Sequence, residues 1–349
     1  MNTSLVEMLE SIAQAYGPSG YEQGVRRVLR GLVQQQVDEL RVDALGNLIT
    51  LKRAARAGGL KVLVAAHMDE VGLMVMDHTA DGMLRLAAIG GVDARLLPGR
   101  EVMVLAQEPF PGVIGLKAIH RAREGYENAP ALEHLVVDIG ASSREEAQRL
   151  APVGTALAFP ARFKVLGPTV MGKAFDDRAG CTVLAELLRH GPYPHDVYGV
   201  FTVQEEVGLR GAQVAAYALN PDVAFVVEGT IADDLPKDYD ESPTSRLGGG
   251  VVITVQDGSY ITPPQLLDFV VGVAQELGIP YQFKQPGIGG TDAGAMHKVR
   301  AGIPSVALAV PCRYIHGPLA LLHLADLEHT ARLLQALVER VTPAVLLPR

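Results

Sequence analysis

Aromatic residues and cysteine are scarce in this chain of 349 residues. Aromatic side chains make up 5% of the sequence, tryptophan is absent, and only two cysteines occur. The core is therefore expected to be mainly aliphatic. Cys181 and Cys312 cannot form a disulfide framework of the kind found in small secreted proteins, so reduced thiols and a cytoplasmic location are expected.

The chain also lacks long apolar runs and an excess of positive charge. No stretch of about 18 apolar residues occurs, which argues against a membrane span. Residues 1–17 are typical of an amphipathic helix rather than of a signal peptide. Thirty-one Lys and Arg residues against 39 Asp and Glu residues give a net charge of −8. That balance argues against nucleic acid or an anionic membrane as the main partner.

Two patterns divide the sequence, whose length favours two domains. Residues 1–69 and 163–349 alternate between strand-like and helical segments. This is typical of an α/β domain with a mostly parallel central sheet flanked by helices. Residues 70–162 contain short alternating strands separated by Gly, Pro and Asp, which predicts a small β-barrel or β-sandwich. We therefore predict one α/β domain, formed by both ends of the chain, with a small β domain inserted into it.

Polar residues that can bind metals or transfer protons directly follow three apolar, strand-like runs. They are His67 and Asp69 after residues 61–66, Glu205 and Glu206 after residues 197–203, and Glu228 after residues 223–227. In open α/β sheets, ligands bind outside the carboxyl ends of the strands. We therefore expect these side chains to meet at one edge of the sheet.

Two further segments carry residues of the same kind. Asp176 and Asp177 precede a predicted helix over residues 178–190, and His316 follows a predicted strand over residues 305–309. A structural role is the alternative for each residue alone, since Asp often caps a helix N-terminus. Together, the two His and the carboxylates suit a divalent metal site. A carboxylate that bridges two ions would suit two-metal hydrolysis.

A series of short segments is more specific in its order and spacing than any one segment alone. They are AAHMDEVG (65–72), IGGVD (89–93), LPG (97–99), GVIGLK (112–117), VDIGASS (137–143), AFDDRAG (174–180), QEEVGLRGA (204–212), GGTDAG (289–294) and RYIHGP (313–318). With these segments the chain resembles the co-catalytic dizinc exopeptidases. Most closely, it resembles the deblocking or glutamyl aminopeptidases that form tetrahedral (TET) particles, some of which are called cellulases or endoglucanases.

The resemblance implies two divalent metal ions per subunit. Zinc is expected, with cobalt and manganese as alternatives. Asp176 would bridge the two ions, His67 and Glu228 would complete the shell of one ion, and Glu206 and His316 that of the other. Glu at position 228 departs from the Asp that is usual in the aminopeptidases.

The resemblance also implies roles for residues that do not bind the ions. Glu205 would act as general base towards a bridging water, and Asp69 would accept the proton of the second His67 nitrogen. The peptide bond between Asp176 and Asp177 is commonly cis in these relatives. If Glu228 is not a ligand, Asp233 or Asp234 is the alternative.

The implied function is a metal-dependent aminopeptidase that removes N-terminal residues from short peptides. The implied assembly is a homo-oligomer, a dodecamer built from dimers through residues 70–162. The main alternative is a dizinc N-acyl deacylase or carboxypeptidase-like hydrolase, which Glu228 slightly favours. A glycosidase would need two carboxylates and no metal, and a non-catalytic scaffold would not need the complete ligand set. Two roles stay open: His120 near an active site, and Asp292 in a substrate pocket or in a tight turn.

Overall fold

The computed structural model describes residues 4–116, 130–236 and 244–347. The helices are α1 (Leu5–Ala13), α2 (Gln23–Val33), α3 (Arg144–Leu150), α4 (Phe175–Arg189), α5 (Arg210–Leu219), α6 (Pro264–Glu276), α7 (Asp292–Met296) and α8 (Leu324–Arg340). Short 3₁₀ helices cover Ala94–Leu96, Leu132–His134 and Pro343–Leu346. None of the helices within the described ranges combines the length and the apolar character needed to cross a membrane.

The strands fall into two groups, one in a large sheet and one in a barrel. The sheet strands are β1 (Glu39–Val42), β2 (Leu48–Lys52), β3 (Lys61–His67), β10 (Phe163–Leu166), β11 (Thr169–Gly172), β12 (Asp196–Thr202), β13 (Val223–Ile231), β14 (Val251–Ile253), β15 (Tyr281–Phe283), β16 (Ser305–Arg313) and β17 (Ala320–His323). The barrel strands are β4 (Gly72–His78), β5 (Leu84–Ile89), β6 (Glu101–Val104), β7 (Phe110–Gly115), β8 (Val136–Asp138) and β9 (Ala156–Ala158).

The large sheet has its parallel strands at the centre. Strands β12, β3, β13 and β16 lie side by side and run parallel, whereas β2 and β17 join their two edges in antiparallel orientation. The predicted α/β class with a central sheet between helices is confirmed, with the parallel pairing concentrated in the middle. The carboxyl ends of the four central strands therefore meet at one edge.

Both faces of the central strands are covered, which explains their nearly continuous apolar sequence. In β3, Val62 and Val64 pack into the cluster that contains α1, α2, α4 and α8. Leu63 and Ala65 point to the opposite face and pack with residues of α5 and α7. His67 therefore continues a strand that is buried on both faces, and this packing fixes the position of its backbone.

The inserted strands close into a barrel in the order β4-β5-β8-β7-β6-β9. They lie between Gly72 and Ala158, inside the interval 70–162 in which a small β unit was expected. Leucine and valine side chains such as Leu73, Val75 and Val137 fill the interior. The inserted strands therefore form a barrel. The assignment of catalysis to the α/β domain and of oligomerisation to residues 70–162 stays a prediction.

Strand β13 is longer than its apolar run predicts. The run stops at Val227, but Gly229, Thr230 and Ile231 continue to pair with Val310, Pro311 and Cys312 of β16. Glu228 therefore lies inside a strand and not after its end. The sequence signal is weak here because Glu, Gly and Thr interrupt the apolar pattern, although a neighbouring strand pairs with them.

Candidate active site

The expected residues converge at the carboxyl edge of the central strands. His67 is the last residue of β3 and pairs with Thr202, the last residue of β12. Glu205 and Glu206 follow β12 closely in sequence. Because Val226 of β13 pairs with Ala65 of β3, Glu228 lies at the level of His67.

Asp176 lies between the two histidines. Its Oδ1 is 3.2 Å from His67 Nε2, and its Oδ2 is 3.4 Å from His316 Nε2. Glu228 Oε2 approaches His67 Nε2 to 3.5 Å, and Glu206 Oε2 approaches His316 Nε2 to 3.4 Å. The structure therefore brings all five expected ligands together, with one imidazole and one glutamate on each side of Asp176.

Donor atoms converge in two overlapping sets. One set consists of His67, Asp176 and Glu206, and the other of His67, Asp177 and Glu228, with the donor atoms of each set within 4.8 Å of one another. The Asp177 carboxylate already accepts hydrogen bonds from the backbone N–H of His67 at 3.0 Å and of Gly180 at 2.8 Å. Asp177 is therefore better suited to fixing the backbone than to binding an ion.

Backbone carbonyl groups orient both imidazoles. His67 Nδ1 lies 3.1 Å from the Asp69 carbonyl oxygen, and His316 Nδ1 lies 3.1 Å from that of Gly91. A carbonyl oxygen only accepts hydrogen bonds, so each Nδ1 carries a proton, and each Nε2, which faces Asp176, is the nitrogen that could bind a metal after it loses its own proton. The carboxylate of Asp69, which was expected to make this contact, is farther from His67 Nδ1, at 3.5 Å.

The Asp69 carboxylate also positions the loop after β12. It accepts hydrogen bonds from the backbone N–H groups of Glu205 at 3.0 Å and Glu206 at 3.1 Å. It also accepts one from the Ser19 hydroxyl at 2.6 Å. Asp69 is therefore a positioning residue, and Ser19 is a partner that sequence reasoning missed, although the Gly-Pro-Ser-Gly turn around it was visible.

A buried ion cluster anchors the segments that carry the expected ligands. The Glu70 carboxylate receives Lys173 Nζ at 2.7 and 2.8 Å and Arg178 Nη2 at 3.1 Å. Burial lowers the pKa of Lys173 to about 8 in spite of this contact. Glu70 follows Asp69, and the two cations flank Asp176 in sequence, so the cluster connects two parts of the site. Sequence reasoning gave none of these three residues a role.

Backbone geometry at the site is unusual. The peptide bond between Asp176 and Asp177 is cis, as the resemblance implies. Ala174, Gln204 and His316 have left-handed conformations, with φ of 55°, 55° and 59°. Such conformations in non-glycine residues cost of the order of 1 kcal/mol or more each and cluster at functional sites.

The buried carboxyl groups of the site outnumber the positively charged groups near them. Burial raises the pKa of Glu205 and Glu228 well above the usual value, and it raises that of Glu206 to about 7. Burial also opposes ionisation of Asp176, but its hydrogen bonds with the two histidines outweigh this and keep its pKa low. Divalent cations would relieve the shortage, and His with carboxylate donors suits zinc, manganese or cobalt.

A cavity of about 320 Å³ opens at the site. The expected ligands and Glu205 line one part of it, and Leu209, Ile231 and Ile288 contribute apolar wall. A cavity of this kind, largely apolar with a few polar groups, is typical of a small-molecule or peptide site.

Three residues that the sequence left open have different outcomes. His120 lies outside the described residues. Asp292 begins α7 below the cavity wall, where its carboxylate accepts a hydrogen bond of 2.5 Å from the Thr202 hydroxyl. Asp234, the alternative to Glu228, forms an ion pair of 2.6 Å with Arg313 Nε.

Comparison with known proteins assigns the chain to a family of metallopeptidases. The model of the M42 glutamyl aminopeptidases matches residues 46–333, and the chain belongs to this family. It is accordingly an enzyme that hydrolyses peptide bonds, of the aminopeptidase type.

Individual relatives agree with this assignment. The lysyl aminopeptidase of Pyrococcus furiosus is 35% identical over 345 residues, which is 97% of each chain. An aminopeptidase from Desulfurococcus kamchatkensis superposes with a TM-score of 0.93 at 36% identity, covering 98% of this chain and 96% of the other. The TET1 peptidase of Pyrococcus horikoshii, which can assemble into a tetrahedron or a large octahedral shell, gives a TM-score of 0.85 at 35% identity, with coverage of 97% and 100%.

Proposed function

We propose that the enzyme removes N-terminal residues from short peptides with a dinuclear metal site. The observation that carries the proposal is the position of Asp176, whose two oxygens face two different imidazoles. His67 and Glu228 would hold one ion, Glu206 and His316 would hold the other, and Asp176 would contribute to both. Zinc is the metal that this donor set favours, with cobalt and manganese as alternatives.

When bound, the metal ions activate water as a nucleophile and stabilise negative charge on the peptide carbonyl oxygen. Glu205 accepts a proton from the attacking water and delivers it to the leaving amine. Support comes from its place on the cavity wall beside Glu206 and from the hydrogen bond between its backbone N–H and Asp69. Asp69 thus keeps the general base and one ligand in a fixed relation.

We also propose that the protein acts in the cytoplasm as a dodecamer built from dimers through the inserted barrel. Support for the assembly comes from the TET1 relative and from the apolar side chains that the barrel exposes. Met76 of β4 is 53% exposed and Val113 of β7 is 50% exposed, and burial of this apolar surface in an interface would favour assembly. Both cysteines are free and buried, which is compatible with a reducing compartment.

A panel of amino-acid p-nitroanilides tests the proposed reaction. Turnover should disappear after chelation and return when zinc, cobalt or manganese is restored. Hydrolysis that is insensitive to chelator would contradict the metal site. Preference for Nα-acetylated peptides over free ones would favour the deacylase alternative.

The variant Glu205→Gln tests the general base. We expect it to retain two metal ions per chain and to lose about 10²- to 10⁴-fold in kcat, because an amide cannot transfer the proton. Glu108→Gln, an exposed residue of the barrel, is the matched control and should behave as the wild type. A Glu205→Gln enzyme with two ions and normal kcat would remove this residue from the mechanism.

A further inference from the structure

Residues 17–22, in the connection between α1 and α2, are anchored to both structural units of the chain. The Gly17 N–H donates to Glu70 Oε1 at 2.9 Å, and the Glu70 N–H donates to the Gly17 carbonyl at 3.0 Å. Glu70 belongs to the buried ion cluster of the α/β domain. On the other side, the Tyr21 hydroxyl donates to the carbonyl of Gly154, which lies just before the barrel strand β9. The segment is therefore held in a fixed place beside the candidate active site.

Two side chains of this segment reach the loops that carry the proposed catalytic residues. The Ser19 hydroxyl donates to Asp69 Oδ2 at 2.6 Å, and Glu22 Oε1 accepts from the backbone N–H of Gln204 at 3.3 Å. The next two N–H groups of that loop donate to the Asp69 carboxylate at 3.0 and 3.1 Å. Ser19, Asp69 and Glu22 are all buried, so water competes little for these contacts. Three successive N–H groups of the loop thus depend on acceptors that the segment supplies or orients.

The loop after β12 needs such support because its backbone is strained. Gln204 has a φ of 55°, and a residue other than glycine keeps this conformation only where its surroundings enforce it. The next residue, Glu205, is the proposed general base, and proton transfer requires it to lie within hydrogen-bond reach of the attacking water. Among the residues that the structure describes, neither Ser19 nor Asp69 lines the cavity. Their effect on the reaction would therefore be on the position of Glu205 and not on contact with the substrate.

We propose that Ser19 is a positioning residue for the general base and that it acts through Asp69. The inference rests on the proposed role of Glu205 and adds a residue outside the cavity to the reaction. The Ser19 hydroxyl fixes the rotation of the Asp69 carboxylate, and the fixed carboxylate holds the Glu205 N–H. Without the hydroxyl the carboxylate can turn, and Glu205 then occupies positions from which it cannot accept the proton.

Steady-state kinetics of Ser19→Ala test the inference, with saturating metal and the p-nitroanilide that the wild type hydrolyses best. A misplacement of about 1 Å can cost about 100-fold in rate, so we expect kcat to fall on the order of tenfold for one lost contact. KM should change little, because the cavity wall is intact, and two metal ions per chain should remain bound. Ser11→Ala is the matched control. Its hydroxyl donates to the Met8 carbonyl at 2.8 Å within α1, and this variant should behave as the wild type.

A double-mutant cycle with Asp69→Asn shows whether Ser19 acts through Asp69. Loss of the Ser19 hydroxyl should then lower kcat much less in the Asp69→Asn background than in the wild type. Equal losses in the two backgrounds would exclude this route. A normal kcat in Ser19→Ala, a change in KM alone, or a loss of turnover that more metal restores would also overturn the inference.

Hydrogen–deuterium exchange of the metal-free protein tests the same contact without measuring activity. The N–H groups of residues 204–206 all donate hydrogen bonds, so their exchange reports how firmly the loop is held. Exchange in the peptide 203–209 should be faster in Ser19→Ala than in the wild type and in Ser11→Ala. Unchanged exchange would overturn the positioning role even if turnover falls.

Failure of the proposed function is distinguishable from failure of this inference. A normal kcat in Glu205→Gln would refute the general base, and the proposed mechanism would fail with it. Faster exchange in Ser19→Ala would in that case still support the positioning of this loop by Ser19, and unchanged exchange would refute it as well.

Discussion

Glu228 is almost fully buried, and its two carboxylate oxygens have different neighbours. Oε1 accepts a hydrogen bond of 3.3 Å from the backbone N–H of Asp292, whereas Oε2 lies 3.5 Å from His67 Nε2. One oxygen is thus fixed by the protein, and the other faces the proposed ion. This division is what a carboxylate needs to bind a metal through one oxygen in a defined direction.

Glu228→Gln and Glu228→Asp should therefore differ in metal binding. The amide loses the negative charge, so we expect it to weaken one of the two ions by tenfold or more. The shorter Asp keeps the charge and should lose less affinity, although the backbone is set for the longer side chain. Titration of the metal-free variants with zinc measures both effects. Two ions bound by Glu228→Gln as tightly as by the wild type would show that Glu228 is not a ligand.

Single ligands were easier to predict from the sequence than the residues that position them. His67 and Glu206 follow apolar runs, and such runs already indicate at which end of a strand a side chain will lie. The Glu205 and Glu206 backbone N–H groups donate to Asp69, and this contact depends on how the loop after β3 packs against the loop after β12. Local sequence contains no signal for this contact, so the role of Asp69 towards that loop and its link to Ser19 were missed.

At the level of secondary structure, strand β13 and helix α4 meet where the site is built. A Cβ atom on Gly229 would lie 2.7 Å from Asp176 Cα and 2.9 Å from the Phe175 carbonyl oxygen. Such distances are too short for any side chain, so only glycine lets the start of α4 approach β13 this closely. Gly229 lies next to Glu228, and it therefore sets the distance between two proposed ligands.

Gly229→Ala should displace Asp176 and reduce both metal affinity and turnover. Forcing a methyl group into this contact should also cost about 1–3 kcal/mol of unfolding free energy. The matched control is Gly31→Ala in α2, where a Cβ atom meets nothing within 4 Å. The control should keep full activity and gain up to about 1 kcal/mol, because alanine favours the helix. Zinc titration and urea unfolding of both variants provide the measurement, and full metal affinity in Gly229→Ala would contradict the role given to this glycine.

On the scale of the whole molecule, the proposed metal site predicts a link between metal binding and folding. Glu205, Glu206 and Glu228 are brought together with too few cations, and ions that bind only the folded state stabilise it. A free ion concentration of about 100 times Kd contributes about 2.7 kcal/mol. Chelation should therefore lower the melting temperature by several degrees, and zinc should restore it. Zinc should raise the melting temperature of the Glu228→Gln variant by less than that of the wild type. Identical melting curves of the wild type with and without zinc would contradict a metal site in this cavity.

The proposed assembly predicts a mass of twelve chains, each of 37.2 kDa. Light scattering of the zinc-loaded protein at micromolar concentration measures it. Val113→Asp, on the exposed surface of the barrel, should shift the protein towards smaller species because a charge would be buried in the interface. Val165→Asp in β10, where the residue is 49% exposed, is the control in the large sheet and should leave the mass unchanged. A monomeric wild type would refute the assembly, whereas a stable dimer would exclude only the larger particle.

The order of the chain also affects how the enzyme is made. His67 leaves the ribosome early, whereas His316 follows only near the end, after the barrel and most of the sheet. At about 5–20 residues per second, the roughly 250 residues between them take on the order of 10 to 50 s to synthesise. Because the proposed metal site includes His316, a nascent chain that ends before this residue carries no complete set of the proposed ligands. The topology thus delays peptidase activity until translation is nearly finished.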